Sequence, residues 1–334
     1  MTEIQTKHIP ARPSPGLTRA ASPTAHQGGD EKWTTGAPQP TPQSKLKRKG
    51  DIIIGTWNVR TLHATGKLKE LTHKMERYQW NVIGLCETRW KNFGELSTEE
   101  GHKIYFSGRE DKHEHGVGFL IHKNITNSVM GCRPVSSHII TIRLKATPFN
   151  VTIIQIYAPT TSHDESEVEA FYDQVQDIVD QTPGKDIIIV QGDWNAKIGE
   201  DACTNWEDTC GRFCNDLTND RGLRLLEFAR YNNLLLANTL GQHKKSRRWT
   251  WHSPSGEHSN QIDYILVRKR FKSCIKTAKT RSFPGADIGS DHNLVLMTFH
   301  LHLKKIAKQG NSRLRFDLDK LKDPKSQRCS GQPL

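Results

Sequence analysis

The sequence has 334 residues and no stretch near the roughly 18 consecutive apolar residues that a membrane span requires. Its opening, MTEIQTKHIPARPSPG, has no apolar core and does not read as a secretory signal. There is no CxxC pair. The 7 cysteines fall at irregular spacing, so no disulfide framework is expected, and reduced thiols in a cytosolic or nuclear compartment are the plain reading. Cys203, Cys210 and Cys214 lie near one another, but without paired histidine spacing they do not read as a zinc site. A GxxxxGKS/T phosphate loop is missing, and the polar set at the strand ends described below holds no thiol or serine nucleophile. Nucleoside triphosphate hydrolysis and covalent catalysis are therefore disfavoured.

What is present is an uneven charge. The net charge of +12 comes from the two ends and one late segment. Residues 1–50 carry 8 Lys+Arg against 3 Asp+Glu, residues 301–334 carry 9 against 3, and residues 241–300 carry 11 against 4. The rest is slightly acidic. A polyanion partner fits this pattern, although net charge alone is weak evidence for one. Residues 1–50 are rich in Pro, Ser, Thr, Gly and Gln and are expected to be disordered. They end in KLKRKG, which reads equally as a nuclear-import patch or as a solvated basic linker. Residues 51–303 are expected to form one domain. Residues 304–334 return to a basic, polar tail.

Ten short Ile/Val-rich runs predict strands at 52–57, 82–86, 103–107, 117–122, 138–144, 151–157, 187–190, 234–237, 262–267 and 294–299. Three helices are expected between them. One follows Gly66 with Leu68, Leu71, Met75 and Tyr78. The second carries Val168, Phe171, Val175 and Ile178. The third begins near Asn219 and carries Leu223, Leu226 and Ala229. Strands outnumber helices, which predicts a mixed α/β domain.

The ends of these runs carry the chemistry. They deliver Asn58, Glu87, Tyr157, Asp193 and Asn195, then Asp263, then Asp291 and His292. Each residue alone is more often a turn former, a cap or a packing residue. Together, at six strand ends, they describe a site in the crevice where strands stop. The oxygen donors favour Mg²⁺ or Mn²⁺ over zinc. Carboxylates, a divalent ion and a histidine suit phosphate-ester cleavage. The cations offset charge developing on the phosphoryl oxygens, and a carboxylate orients or activates water.

In order, TWNV (56–59), CET (86–88), IYAP (156–159), GDWN (192–195), IDYIL (262–266) and GSDHNLV (289–295) resemble the motifs of the endonuclease/exonuclease/phosphatase superfamily. That superfamily includes DNase I, apurinic endonucleases and the endonuclease domains of LINE retrotransposons. The likeness extends over 51–303 and is greatest to the RTE/BovB type. It implies an α/β DNase I-like fold, two sheets in a sandwich flanked by helices as α/β/β/α layers. It also implies that Glu87 holds Mg²⁺ with Asn58 beside it and Asp291 helping. Asp193 would orient or deprotonate water, and Asn195 would bond the phosphate or position Asp193. Tyr157 would donate to a phosphate oxygen, as would His292 held by Asp263.

One position departs from the family. Apurinic endonucleases usually have an acid two residues after the first Asn; this chain has Arg60, which suits a polyanion and departs from the apurinic pattern, leaving open whether abasic sites are cut. No YxDD signature of a reverse transcriptase is present. The segment HKKSRRWTWH (243–252) interleaves cations with tryptophans, so Lys244, Lys245, Arg247, Arg248 and Trp249 are expected nucleic-acid contacts, together with the cation of Arg60. A second basic run, 268–281, reads equally as DNA-facing or solvated. The expectation is a Mg²⁺-dependent, DNA-nicking endonuclease in the nucleus, without a membrane partner. The alternatives are an inactive DNA-binding protein and a phosphatase on inositol phosphates or lipids.

Overall fold

The computed structural model describes residues 50–300 except Asp216. The expectations for residues 1–49 and 301–334 lie outside the described residues. In chain order the strands are β1 (Asp51–Asn58), β2 (Val82–Cys86), β3 (Phe93–Ser97), β4 (Lys103–Ser107), β5 (Val117–Ile121), β6 (Val129–Pro134), β7 (Ile139–Leu144) and β8 (Val151–Tyr157). They continue as β9 (Ile187–Asp193), β10 (Leu234–Leu236), β11 (Trp251–His252), β12 (Ser259–Asn260), β13 (Asp263–Arg268), β14 (Arg281–Phe283) and β15 (Leu294–His300). The α-helices are α1 (Lys67–Met75), α2 (Glu165–Gln181) and α3 (Asp220–Tyr231).

One sheet has the order β14-β15-β1-β2-β5-β4-β3 and the other β10-β13-β9-β8-β7-β6. β11 and β12 pair as a separate ribbon. Each large sheet contains one parallel pair, β1 with β2 and β8 with β9, among antiparallel neighbours. α1 and α2 lie within those crossovers, as parallel connections require. β15 returns antiparallel to β1, placing His300 opposite Asp51.

Three apolar clusters define the layers. Ile52, Ile54 and Val82 of the first sheet meet Ile153, Ile187, Ile189 and Ile265 of the second between the sheets. α2 and α3 cover the outer face of the second sheet through Phe171, Val175, Leu225 and Phe228. α1 covers the outer face of the first through Leu71 and Met75. These are α/β/β/α layers.

All ten expected strands are present. The unanticipated ones are the edge strands β3, β6 and β14 and the two-residue pair β11 and β12. FGELS and VMGCRP carry glycine, proline and charge, as edges do, and so lack the apolar signal of a buried strand. Two helix assignments need correction. α1 stops at Met75, so Tyr78 lies in the following turn. α3 buries Leu225, Leu226, Phe228 and Ala229, while Leu223 is exposed. Asp164 and Asn219 cap α2 and α3 by accepting from Glu167 N and Gly222 N, which fixes both starts.

Candidate active site

The inter-sheet face of the long strands has one composition, because alternate residues share a face. β1 offers Ile52, Ile54, Thr56 and Asn58. β8 offers Val151, Ile153, Gln155 and Tyr157. β9 offers Ile187, Ile189, Gln191 and Asp193. Two apolar residues are followed by one buried polar residue and then by a site residue. Strand register aligns Tyr157 and Asp263 with Asp193.

The polar rung below the site bridges the sheets. Gln155 Nε2 donates to Thr56 Oγ1 at 2.9 Å and to Cys86 Sγ at 3.0 Å. Gln191 Nε2 donates to Gly55 O at 2.7 Å and to Gln155 Oε1 at 3.1 Å. Gly84 makes room for this rung, since a Cβ there would overlap the Gln155 amide. Sequence reasoning missed Gln155 and Gln191. The available signal was their place two residues before Tyr157 and Asp193, on the same face.

Above the rung, Asn58 Nδ2 donates to Glu87 Oε1 at 2.8 Å and to Asp193 Oδ2 at 3.0 Å. Asn58 Oδ1 accepts from Arg60 N at 2.9 Å. Reversing the amide would set its oxygen against two carboxylates, so Asn58 acts here as a donor rather than as an oxygen ligand. Glu87 has φ 54°, Arg89 56° and Asn195 48°. Such left-handed geometry is uncommon away from glycine and gathers at functional turns. It lets the chain leave β2 and β9 sharply, with polar side chains at the cleft. Gly192, at φ 152°, precedes Asp193 because a Cβ would collide with the Ile156 carbonyl.

His292 donates from Nδ1 to Asp263 Oδ2 at 3.0 Å, and its Nε2 lies 3.7 Å from Asp193 Oδ2. All three are buried. Burial alone would depress the imidazole, but Asp263, Asp193 and Asp291 outweigh it and hold it up to about 9. Asp193 is pushed up by burial and by Asp263, against the opposing pull of His292 and Asn58. The ligand atoms of Asp193, Asp263 and His292 lie within 4.8 Å of one another. Both nitrogens of the ring face carboxylates, which favours the charged imidazole. Burial and the Glu87 and Asp193 charges raise the Tyr157 phenol, so it stays protonated and able to donate.

Asn195 donates from its backbone N to Asp193 Oδ1 at 3.1 Å and from Nδ2 to Ala158 O at 2.8 Å, which favours a positioning role. Trp194 lies behind the sheet, among Tyr172 and Phe228. Asp291 accepts from Trp251 Nε1 at 3.2 Å through one oxygen. Arg89, which sequence reasoning also missed, donates to Glu87 Oε2 at 2.9 Å. Asp193 and Asp263 face His292, and Glu87 faces Asn58 and Arg89. The oxygen donors of Glu87 and Asp291 are of the kind that suits a hard divalent ion.

The basic segment adjoins this site. Trp251 forms a backbone bridge with His292, His252 N donates to Asp291 O, and Asn293 N donates to Thr250 O. Lys244, Lys245 and Arg247 are exposed, as is Arg60 on the turn after β1, while Trp249 is half-buried. Arg248 is different: it donates to Cys214 O at 2.9 Å and its Nε is buried. The run after Arg268 starts at the opposite end of β13 from Asp263. There Lys269 pairs with Asp208, and Arg270 donates to Gly184 O.

The Endonuclease/Exonuclease/phosphatase family profile matches residues 55–292. Craniofacial development protein 2 of Bos taurus is 41% identical over 267 residues, covering 80% of this chain and 44% of that protein. The chain spans about half the length of the curated relatives it matches. Among solved structures, a 3'-5' exonuclease from Neisseria meningitidis aligns with TM-score 0.55 and 16% identity, covering 74% of this chain and 99% of that one. The endonuclease domain of TRAS1, a telomere-specific non-LTR retrotransposon, aligns with TM-score 0.52 and 12% identity, covering 75% and 99%. Among the described residues, no helix is long and apolar enough to cross a membrane.

Proposed function

The chain belongs to the endonuclease/exonuclease/phosphatase family, and from that premise we propose that it is a Mg²⁺-dependent endonuclease that nicks DNA, leaving 3′-hydroxyl and 5′-phosphate ends. The observation that carries this reading is the position of His292. Its ring is held by Asp263, and its backbone bridges Trp251 of the basic segment. The strand that follows the exposed Lys244, Lys245 and Arg247 thus reaches the imidazole, which supports a phosphate chain tracked by those cations and cut at His292.

Asp193 accepts the proton of the attacking water. Its Oδ1 is fixed by Asn195 N, and its Oδ2 by Asn58 Nδ2. The water oxygen bonds to phosphorus while the bond from phosphorus to O3′ breaks. His292 and Tyr157 donate to the phosphoryl oxygens as charge develops. Glu87, with Asp291, would hold Mg²⁺ (or Mn²⁺), which supplies Lewis-acid stabilisation of the phosphate and leaving oxygen. Asn58 and Arg89 hold the Glu87 carboxylate in place, and Arg60 stands at the cleft edge as a phosphate contact.

The test is conversion of supercoiled plasmid to nicked circles with and without Mg²⁺, with Asp193→Asn as control. Mg²⁺-dependent nicking lost in the variant is expected. Plasmid bound but never cut would make the chain a DNA-binding protein. Phosphate release from inositol phosphates without nicking would make it a phosphatase.

A further inference from the structure

The segment between Asp193 and α3 has one turn of 3-10 helix, at Glu200–Ala202, as its only regular element among the described residues. Structureless connections longer than about 12–15 residues are uncommon unless functional or held in place. This one is held. Cys210 N donates to Trp206 O, Phe213 N to Thr239 O, and Leu236 N to Thr209 O. Its path also brings the sulfurs of Cys203, Cys210 and Cys214 within 4.8 Å of one another. None of the three is in a disulfide.

We propose that Cys203, Cys210 and Cys214 form a structural zinc site, separate from the Mg²⁺ site, that braces the segment leading from the catalytic strand β9 to the basic loop. Four zinc bonds of about 2.3 Å place tetrahedral sulfurs about 3.8 Å apart, so the thiols need only a small contraction to share an ion. Thiolates select zinc over the hard cations that suit Glu87. Cys203 Sγ and Cys214 Sγ both point to Gly211 O, at 3.1 and 3.4 Å, so one carbonyl draws two of the sulfurs together beside the buried Cys210.

Cys210 and Cys214 are buried, whereas Cys203 is half-buried and opens on a cleft of about 580 Å³ walled by Glu200, Glu207 and His243. A water or one of these side chains supplies the fourth ligand. Arg212 and Arg248 also line the cleft and offset the negative charge of a three-thiolate centre. The Arg248 contact with Cys214 O ties the site to the basic segment.

The full chain, purified reduced from zinc-supplemented culture, is assayed for bound zinc and then titrated with Co²⁺. One zinc per chain and a thiolate-to-Co²⁺ charge-transfer band are expected. The band should persist in Glu87→Gln, whose site has oxygen donors, and in Cys132→Ser, which lies on β6. Cys203→Ser and Cys210→Ser should each weaken metal affinity at least tenfold. A reduced wild-type chain with all 7 thiols titratable and no charge-transfer band at excess Co²⁺ overturns the site. So does a band that survives replacement of all three cysteines. The deciding spectrum is that of the wild type, so it holds even where a variant fails to fold.

Discussion

Replacing Asp263 by Asn removes the charge that holds the His292 proton while keeping the shape of the side chain. In the wild type the imidazole is raised from 6.5 to about 9, roughly 3 kcal/mol of preference for the charged form. Burial opposes that rise, and Asp263 is the largest of the forces sustaining it. Without Asp263 burial dominates, and the imidazole drops toward or below its ordinary value. Nicking in the wild type should follow a bell, rising through about 7 as Asp193 ionises and falling through about 9 as His292 loses its proton. Both limbs belong to the coupled group. In Asp263→Asn the alkaline limb should move below about 7, and the rate at pH 8 should fall by roughly tenfold or more. Stability supplies a second readout. The native state binds the His292 proton more tightly than the unfolded chain, so this contribution is whole below pH 6.5 and lost as pH rises through about 9. The wild type should therefore lose stability between those values, and the variant should have a flatter profile. The assays are initial nicking rates and thermal unfolding from about pH 5 to 9.5 at fixed metal, a span that brackets both limbs. An unchanged alkaline limb in Asp263→Asn would refute the reasoning.

Asp193→Asn and His292→Ala should each lower nicking by roughly 10²-fold or more with duplex affinity unchanged, and wild-type rates in both would displace the site. Glu87→Gln should raise the Mg²⁺ concentration for half-maximal activity, because an amide binds the ion more weakly than a carboxylate. Arg89→Ala should lower it by removing a competing cation, and identical metal titrations for all three proteins would move the metal elsewhere. Gly84→Ala should disrupt the Gln155 rung and destabilise the fold by about 1–3 kcal/mol, the cost of stranding buried polar groups, measured by urea unfolding. Lys244, Lys245 and Arg247 replaced together by Ala should flatten the salt dependence of duplex binding by about 0.9 in log–log slope per lost phosphate contact, and parallel curves would remove the loop from the interface.

The site was legible in the sequence because its residues terminate apolar strands, a pattern that survives without knowledge of the fold. Asn58, Tyr157 and Asp193 each end a run of branched residues, and the structure brings them to one cleft. What stayed hidden depends on partners distant in sequence. Gln155 and Gln191 read as interruptions of apolar runs until the opposite sheet supplies Thr56 and Gly55 O. The cations of 243–248 look alike in sequence, yet Arg248 differs because Cys214 reaches it from another segment. The convergence of three irregularly spaced cysteines is set by the path of a loop, for which periodicity offers no signal. Leu223 fits a helical spacing, but α3 turns it outward, since spacing fixes a face only to within a residue.

The pairing of β15 with β1 also governs how the domain can be carried. Chain entry at Asp51 and chain exit at His300 face each other across one ladder, joined further by a 2.7 Å hydrogen bond between their side chains. Both lie at the foot of β1, roughly 23 Å by strand length from Asn58 at its head. The two ends of the paired ladder therefore lie together, at the far end of β1 from the cleft. Joining such adjacent ends to flanking sequence costs little closure entropy, as suits a domain carried as one unit.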